Sequence, residues 1–291
     1  MPWRKAPLNG IIWQLMLPYF DILGLRLHPY GILVASGYLL GLLWVMRNRP
    51  HIQLDDRSFW ALAYTLFFGT VIGSRIGFYI VERDYILQDP GFIWRNWQTG
   101  SVVLAGLIGS IVSGWLFQIV YNRSHRPRTY LPVADYWLTA GALGHGIGRV
   151  GCFLQGCCHG SPTCMPWGVA FTDPASSVAP ELLGVPLHPV QLYEGAGELA
   201  IFVFLAYWVM PRIRQGRLRY GMAFLGHLFL YSTMRFFLEF FRGDYRGNLL
   251  WPVLSPSQWL ALAVILCVAW TCLRRGVVER RAEDHTLYLD A

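Results

Sequence analysis

The chain has 291 residues, of which 54% are hydrophobic and 14% charged, with 13 Trp and a formal net charge of +7. Soluble domains carry about 25% charged residues, so this composition excludes an ordinary soluble protein and points to one polytopic membrane domain spanning residues 1–291. Lys5 is the only lysine, and the arginines sit in short loops between apolar runs. That is the pattern of membrane topology, not of a basic stripe for nucleic acid, so no nucleic-acid partner is expected.

In chain order, residues 1–29 read as an interfacial N-terminal arm. Arg4 and Lys5 resemble the start of a signal peptide, but the apolar run 11–16 is short and Pro18 and Asp21 interrupt it. No small-x-small cleavage site follows. Seven apolar stretches approach the spanning length of about 20 residues, at roughly 30–46, 58–81, 101–121, 135–155, 189–210, 220–241 and 257–273. The expected fold is an all-α integral membrane protein of seven transmembrane helices. Its longer loops are 82–100 and 156–188, and its tail is 274–291.

Basic residues orient the chain. Loops 47–57, 122–134 and 211–219 and the tail hold 14 of the 24 basic residues, and the opposite set holds 7. The positive-inside rule then places the N-terminus outside and the C-terminus in the cytoplasm. The remaining three, Arg75, Arg149 and Arg235, fall inside spans. Charge at bilayer depth is costly and faces a polar cavity or a partner. At about 1.5 Å per residue all three lie about 21–26 Å above the inner end of their helices, in the outer half of the bilayer. His28 and Tyr30 open the first span near that level, and His188, Gln191 and Glu194 open the fifth. Glu239 and Arg242 follow Arg235 at helical spacing and share its face.

The segment 141–160, GALGHGIGRVGCFLQGCCHG, sets Arg149 among glycines and thiols. Gly69, Gly73 and Gly77, and Gly144 and Gly148, have the small-xxx-small spacing of close helix packing, and packing is the preferred reading for them. His145 and His227 are expected to hydrogen-bond within the bundle, and Glu198 is given no role. Cys157, Cys158 and Cys164 lie on the outer side, which permits a disulfide; Cys164 with one of the adjacent pair is then the favoured pairing, and the sequence leaves their redox state open. Their spacing with His159 matches no common zinc site, so no metal is expected. Cys152 near Arg149 has the surroundings of a nucleophile, a less favoured alternative.

Two arginines at the outer leaflet suit a phosphate, which guanidinium groups hold in a bidentate fork. In a bilayer that phosphate is a lipid headgroup. Arg149 and Arg235 have the stronger claim; Arg75 is equally well explained by snorkelling or by pairing with Glu82 or Asp84. Glu239 is either the ion-pair partner of Arg235 or a general base, the pair being favoured. His188 is a candidate for proton transfer.

The motifs LHPYG (27–31), GSRIG (73–77), AGLIG (105–109), GRVGCFLQG (148–156), HPVQLYE (188–194) and MRFFLEFFRGD (234–244) occur in this order. In this the chain resembles the prolipoprotein diacylglyceryl transferases. The resemblance implies a bacterial inner-membrane enzyme of lipoprotein maturation. It would move the diacylglyceryl group of phosphatidylglycerol onto the lipobox cysteine thiol of a prolipoprotein, with membrane lipids as surroundings and no cofactor. Arg149, Tyr30, Arg235, Glu239 and Arg242 match family positions, so catalytic roles are expected for Arg235, Tyr30 and Glu239, with His188 a further base candidate from its own chemistry. Substrate contacts would come from Arg149, Arg242, His28, Gln191, Glu194 and Cys152. Three positions depart from the family pattern: Leu104 stands for its histidine, Cys152 for an asparagine and Cys157 for an acidic residue. A paralogue acting on another lipid or acceptor, and a non-catalytic lipid-binding relative, are the alternatives. A transporter is disfavoured, because the charges crowd one leaflet and no half-helix repeat is visible.

Overall fold

Pro29 supplies a fixed φ at the first position of the first long helix, α1 (Pro29–Arg47), where a missing N–H costs nothing. The computed structural model describes residues 19–22, 25–52, 54–95, 102–124, 130–243 and 254–275. The further long helices are α2 (Asp56–Val81), α5 (Val103–Ser124), α6 (Leu131–Gln155), α7 (Val190–Phe204), α9 (Met222–Leu238) and α10 (Pro256–Arg275). Helix thus covers each of the seven apolar stretches. Among the described residues, five helices are long and apolar enough to cross a membrane by length and composition: Pro29–Arg47, Asp56–Val81, Ala105–Arg123, Val190–Arg214 and Pro256–Leu273. α6 and α9 are not in that set. α6 carries Asp135, His145 and Arg149, and α9 has 17 residues.

Among the described residues, two short antiparallel sheets accompany the helices. β1 (Phe20–Ile22) pairs with β2 (Leu25–Leu27) in the arm, and β3 (Val169–Ala170) with β4 (Pro186–Leu187) in the segment 156–188. The rest of the arm, residues 1–18, and the tail beyond 275 lie outside the described residues.

The chain divides into two compact units, one holding residues up to His51 and from Leu131 onward, the other Ile52–Tyr130. In the second unit, Asp55 caps α2 by accepting from the Ser58 amide at 3.1 Å. α2 packs along α5, and Gly73 and Gly77 lie against Ala105. Short helices α3 (Arg83–Gln88) and α4 (Phe92–Arg95) follow α2. Arg75, half-buried on α2, belongs to this unit.

In the first unit α6 is central, packing on α1, α7 and α9, while α9 also packs on α10. α1 and α6 cross at glycines. A Cβ on Gly37 would lie 2.6 Å from the Gly144 carbonyl oxygen, so only glycine permits this approach. Gly37→Leu is expected to destabilise the unit by about 1–3 kcal/mol, read as a lower unfolding midpoint in detergent. α7 runs through a π-turn at Leu205–Val209 into α8 (Met210–Arg214). Pro211 has no N–H for the ladder, and the wider turn ahead of it keeps the helix going past 210, the predicted end of this stretch.

The N-terminus of α9 is fastened to α6. The buried Asp135 carboxylate accepts from the backbone N–H of Gly221 at 2.6 Å and of Phe224 at 2.8 Å. Arg214 donates to the Tyr136 hydroxyl at 3.0 Å and to Asn48 Oδ1 at 2.6 Å, tying the end of α8 to α6 and α1. At the other end of α6, the segment 156–188 has its own core of Val169, Phe171, Val178, Val185 and Leu187 around Phe153. This loop is a small folded cap, not a bare connection.

Candidate active site

Arg149 leaves α6 toward α7, where Glu194 meets it. Nη2 lies 2.6 Å from Glu194 Oε1. Glu194 is fully buried, so its charge requires such a partner. Tyr231 on α9 donates its hydroxyl to the same oxygen at 3.0 Å. Four residues along α9, Arg235 Nη1 lies 2.6 Å from Glu239 Oε2. Ser255 donates to Glu239 Oε1 at 2.8 Å, and Arg235 Nη2 reaches Ser257 Oγ at 3.5 Å. Arg149, Glu194, Glu198 and Arg235 all act electrostatically on Tyr231, so one tyrosine stands among the charges of both pairs.

The pairing leaves donors and acceptors over. Arg149 Nε, Glu194 Oε2 and Gln191 Oε1 are buried without a hydrogen-bond partner among the described residues. Each carries a full desolvation cost unless something else meets it. Gln191 itself is buried and donates to the Cys157 carbonyl at 2.8 Å. Arg235 and Glu239 form the ion pair that the i, i+4 spacing suggests. A general-base role for Glu239 has against it that both oxygens are engaged.

The thiols lie next to Arg149. Cys157 donates to the Cys152 carbonyl at 3.7 Å. Cys158 is the one non-glycine residue with positive φ, 60°, among the described residues. Hydrogen bonds from Cys152 and Cys157, aided by the guanidinium groups of Arg149 and Arg242, push the Cys158 thiol far down toward thiolate. Hydrogen bonds to Cys152 and Cys158, with burial, push the Cys157 thiol up. All six cysteines carry free thiols, so the outer location that permits a bridge of Cys164 to Cys157 or Cys158 is not used for one. Cys164 is exposed and sits apart in sequence from the close trio. Cys164→Ala is expected to change stability by less than about 0.5 kcal/mol, measured by thermal unfolding with and without reductant. Among the described residues no group of His, Cys, Asp and Glu could hold a metal ion.

The cap brings His188 and Arg242 to the same edge. Gly160 bridges to Arg242, its N–H donates to the His188 carbonyl at 2.9 Å, and Ser161 N–H donates to the Phe241 carbonyl at 2.8 Å. A Cβ on Gly160 would lie 2.5 Å from His188 Cβ and 2.7 Å from the Phe241 oxygen, so glycine is required where these chains meet. His188 stacks edge-on against Phe241 at 5.2 Å, and its Nδ1 is 3.4 Å from the Tyr193 hydroxyl. Burial lowers the His188 pKa. Tyr30 at the head of α1 packs on Gly151 and lies within electrostatic reach of Cys152, Cys157, Cys158 and Arg149. His28, exposed, precedes Pro29 and makes no side-chain cap on α1.

Residues from α1, α6, the cap, α7 and α9 therefore converge. No sequence motif marks Ser255, whereas Tyr231 sits four residues before Arg235 and so shares its face. Glu198, one turn after Glu194, takes His145 Nδ1 on Oε1 at 2.7 Å and has His227 Nε2 3.3 Å from Oε2. His227 Nδ1 also donates to the Leu138 carbonyl at 3.2 Å, so both histidines hydrogen-bond inside the bundle as expected.

The model of the prolipoprotein diacylglyceryl transferase family matches residues 18–274. The chain belongs to this family. Curated relatives agree. The phosphatidylglycerol–prolipoprotein diacylglyceryl transferase 2 of Clostridium perfringens is 31% identical, over 84% of this chain and 90% of its own. The corresponding transferase of Cupriavidus metallidurans is 31% identical over 90% of this chain and 97% of its own. That of Tolumonas auensis is 32% identical over 83% and 88%. The chain is thus a multi-pass membrane member of a bacterial transferase family. Within that family framework, Leu104 falls on α5 in the second unit. Of the other two departures, Cys152 lies beside Arg149 and Cys157 donates to the Cys152 carbonyl.

Proposed function

We propose that this protein transfers the diacylglyceryl group of phosphatidylglycerol to the lipobox cysteine thiol of prolipoproteins and releases glycerol phosphate. It does so as one seven-span domain in the bacterial inner membrane, N-terminus outside and C-terminus in the cytoplasm. The arginine distribution supports the orientation, and the polar content of α6 and α9 suits helices shielded within a bundle.

The observation that carries the reading is the meeting of Arg149 and Arg235 around Tyr231, with Arg149 Nε left without a partner. A phosphate diester between them would satisfy the donors that the carboxylates leave over. As the glyceryl carbon–oxygen bond breaks, the phosphate gains negative charge. Positive groups already in place then stabilise the transition state more than the ground state. Glu194 and Tyr231 orient Arg149; Glu239 and Ser255 orient Arg235. Tyr30, Gln191 and Cys152 line the headgroup side. His28, His188 and Arg242 stand where the peptide would approach. A different lipid or acceptor is the second reading, favoured by the thiol trio at 152, 157 and 158.

Purified protein given phosphatidylglycerol and a lipobox peptide should yield a thioether-linked diacylglyceryl peptide by mass spectrometry. If none forms under conditions where another family member makes it, the reading is wrong. Product formed only with another anionic glycerolipid selects the second reading.

A further inference from the structure

The proposed transfer needs a group to take the acceptor thiol's proton, because a free thiol ionises near pH 8.5 and less readily in apolar surroundings. We infer that His145, held by Glu198, is that general base; the inference rests on the diacylglyceryl-transfer reading above.

Glu198 is only 1% exposed, so its carboxylate has to be met by donors. The nearer one is His145, with Nδ1 2.7 Å from Oε1. That contact places the proton on Nδ1 and leaves the lone pair on Nε2, as a carboxylate does when it fixes an imidazole tautomer. Nε2 makes no hydrogen bond among the described residues, and the His145 side chain is 35% exposed. It is the one member of the His145–Glu198–His227 group that reaches the outside, since His227 is 9% exposed. A carboxylate behind a histidine with an accessible second nitrogen is the arrangement of a proton acceptor.

Its position also fits. His145 lies one turn before Arg149 on α6, about 6 Å along the axis, so the base stands beside the phosphate rather than on it. Its ring meets Tyr231 edge-on at 5.7 Å, and Tyr231 donates to Glu194, the partner of Arg149. One tyrosine therefore touches both the base and the clamp. The titratable groups around His145 are Arg149 on its own helix, Glu194 and Glu198 on α7, and His227 and Tyr231 on α9. His188 and Glu239 serve less well: the histidine turns Nδ1 to Tyr193, and the carboxylate is bound by Arg235 and Ser255.

In the step, the thiol proton passes to Nε2 of His145 and the sulfur attacks the glyceryl carbon that bears the phosphate ester. A C–S bond forms and the C–O bond breaks. Its electron pair stays on the phosphate oxygen of the departing glycerol phosphate, between Arg149 and Arg235. His145 then releases the proton to that phosphate or to water.

The test uses the full-length protein in detergent with phosphatidylglycerol and a lipobox peptide, assayed from pH 5.5 to 9. Wild type should show an acid limb and then a plateau. His145→Gln should lower kcat by about 10²–10⁴-fold and leave KM for phosphatidylglycerol within about threefold, since uniform binding is untouched. Its residual rate should climb about tenfold per pH unit toward the thiol's own ionisation. Folded His145→Ala should regain activity with added imidazole. A His145→Gln protein with wild-type kcat and pH profile overturns the inference alone, as does a folded His145→Ala of normal lipid affinity that imidazole does not restore. No product from the wild type overturns the transfer reading and this inference with it.

Discussion

Arg235→Ala is expected to lower turnover by about 10²–10³-fold or more, measured as thioether product at saturating phosphatidylglycerol. Arg235 is buried and reaches Glu239 with Nη1, while Nη2 is held only by a long contact to Ser257. Under the proposed clamp, the guanidinium would follow charge onto the leaving phosphate. The truncation also leaves the Glu239 carboxylate with Ser255 as its remaining partner. Arg235→Lys keeps the charge but loses the planar fork, so it should fall between wild type and alanine. A rate for Arg235→Ala within about threefold of wild type is incompatible with the clamp.

Glu194→Leu is expected to cost about 3–5 kcal/mol of stability and to abolish turnover. Glu194 is fully buried and is the carboxylate that meets Arg149, so its loss strands a buried guanidinium and the Tyr231 hydroxyl together. The double variant Arg149→Met with Glu194→Leu should regain much of the stability, because removing both charges also removes their desolvation cost. It should stay inactive, because the phosphate has lost a ligand. Unfolding midpoints in detergent and product formation, measured on the same preparations, separate the two effects. A double variant no more stable than Glu194→Leu would mean that the pair is not what holds these helices.

Much of this site was visible in the residues themselves. Apolar runs of spanning length marked all seven long helices, because the hydrophobic requirement acts on contiguous residues. Arg149 and Arg235 stood out because a charge within an apolar run has no local reason to be there. Glu239 was recognisable as a partner for Arg235, since an i, i+4 spacing fixes the neighbourhood within one helix. Glycine spacing likewise anticipated close packing, and Gly37 against Gly144 bears this out for α6.

Partners across helices were not visible. Glu194 and Glu198 are four residues apart on α7 and look alike in sequence, yet one meets an arginine and the other two histidines. His145 and Glu198 are 53 residues apart, and no periodicity within either helix relates them. The cap over 156–188 was also hidden, because its core draws on Phe153 and single residues scattered along an irregular segment. The state of the thiols was hidden too: an outer location permits a bridge without requiring one, and the packing leaves Cys152 and Cys158 as free thiols beside Arg149, with Cys157 on the Cys152 carbonyl. By itself the sequence determined which segments are apolar helices and which charges are out of place in them, since both depend on neighbours along the chain. Only the tertiary structure decided which carboxylate meets which cation and which histidine keeps a nitrogen free. Those outcomes depend on how α6, α7 and α9 are rotated against one another, and that rotation is set by packing across the bundle.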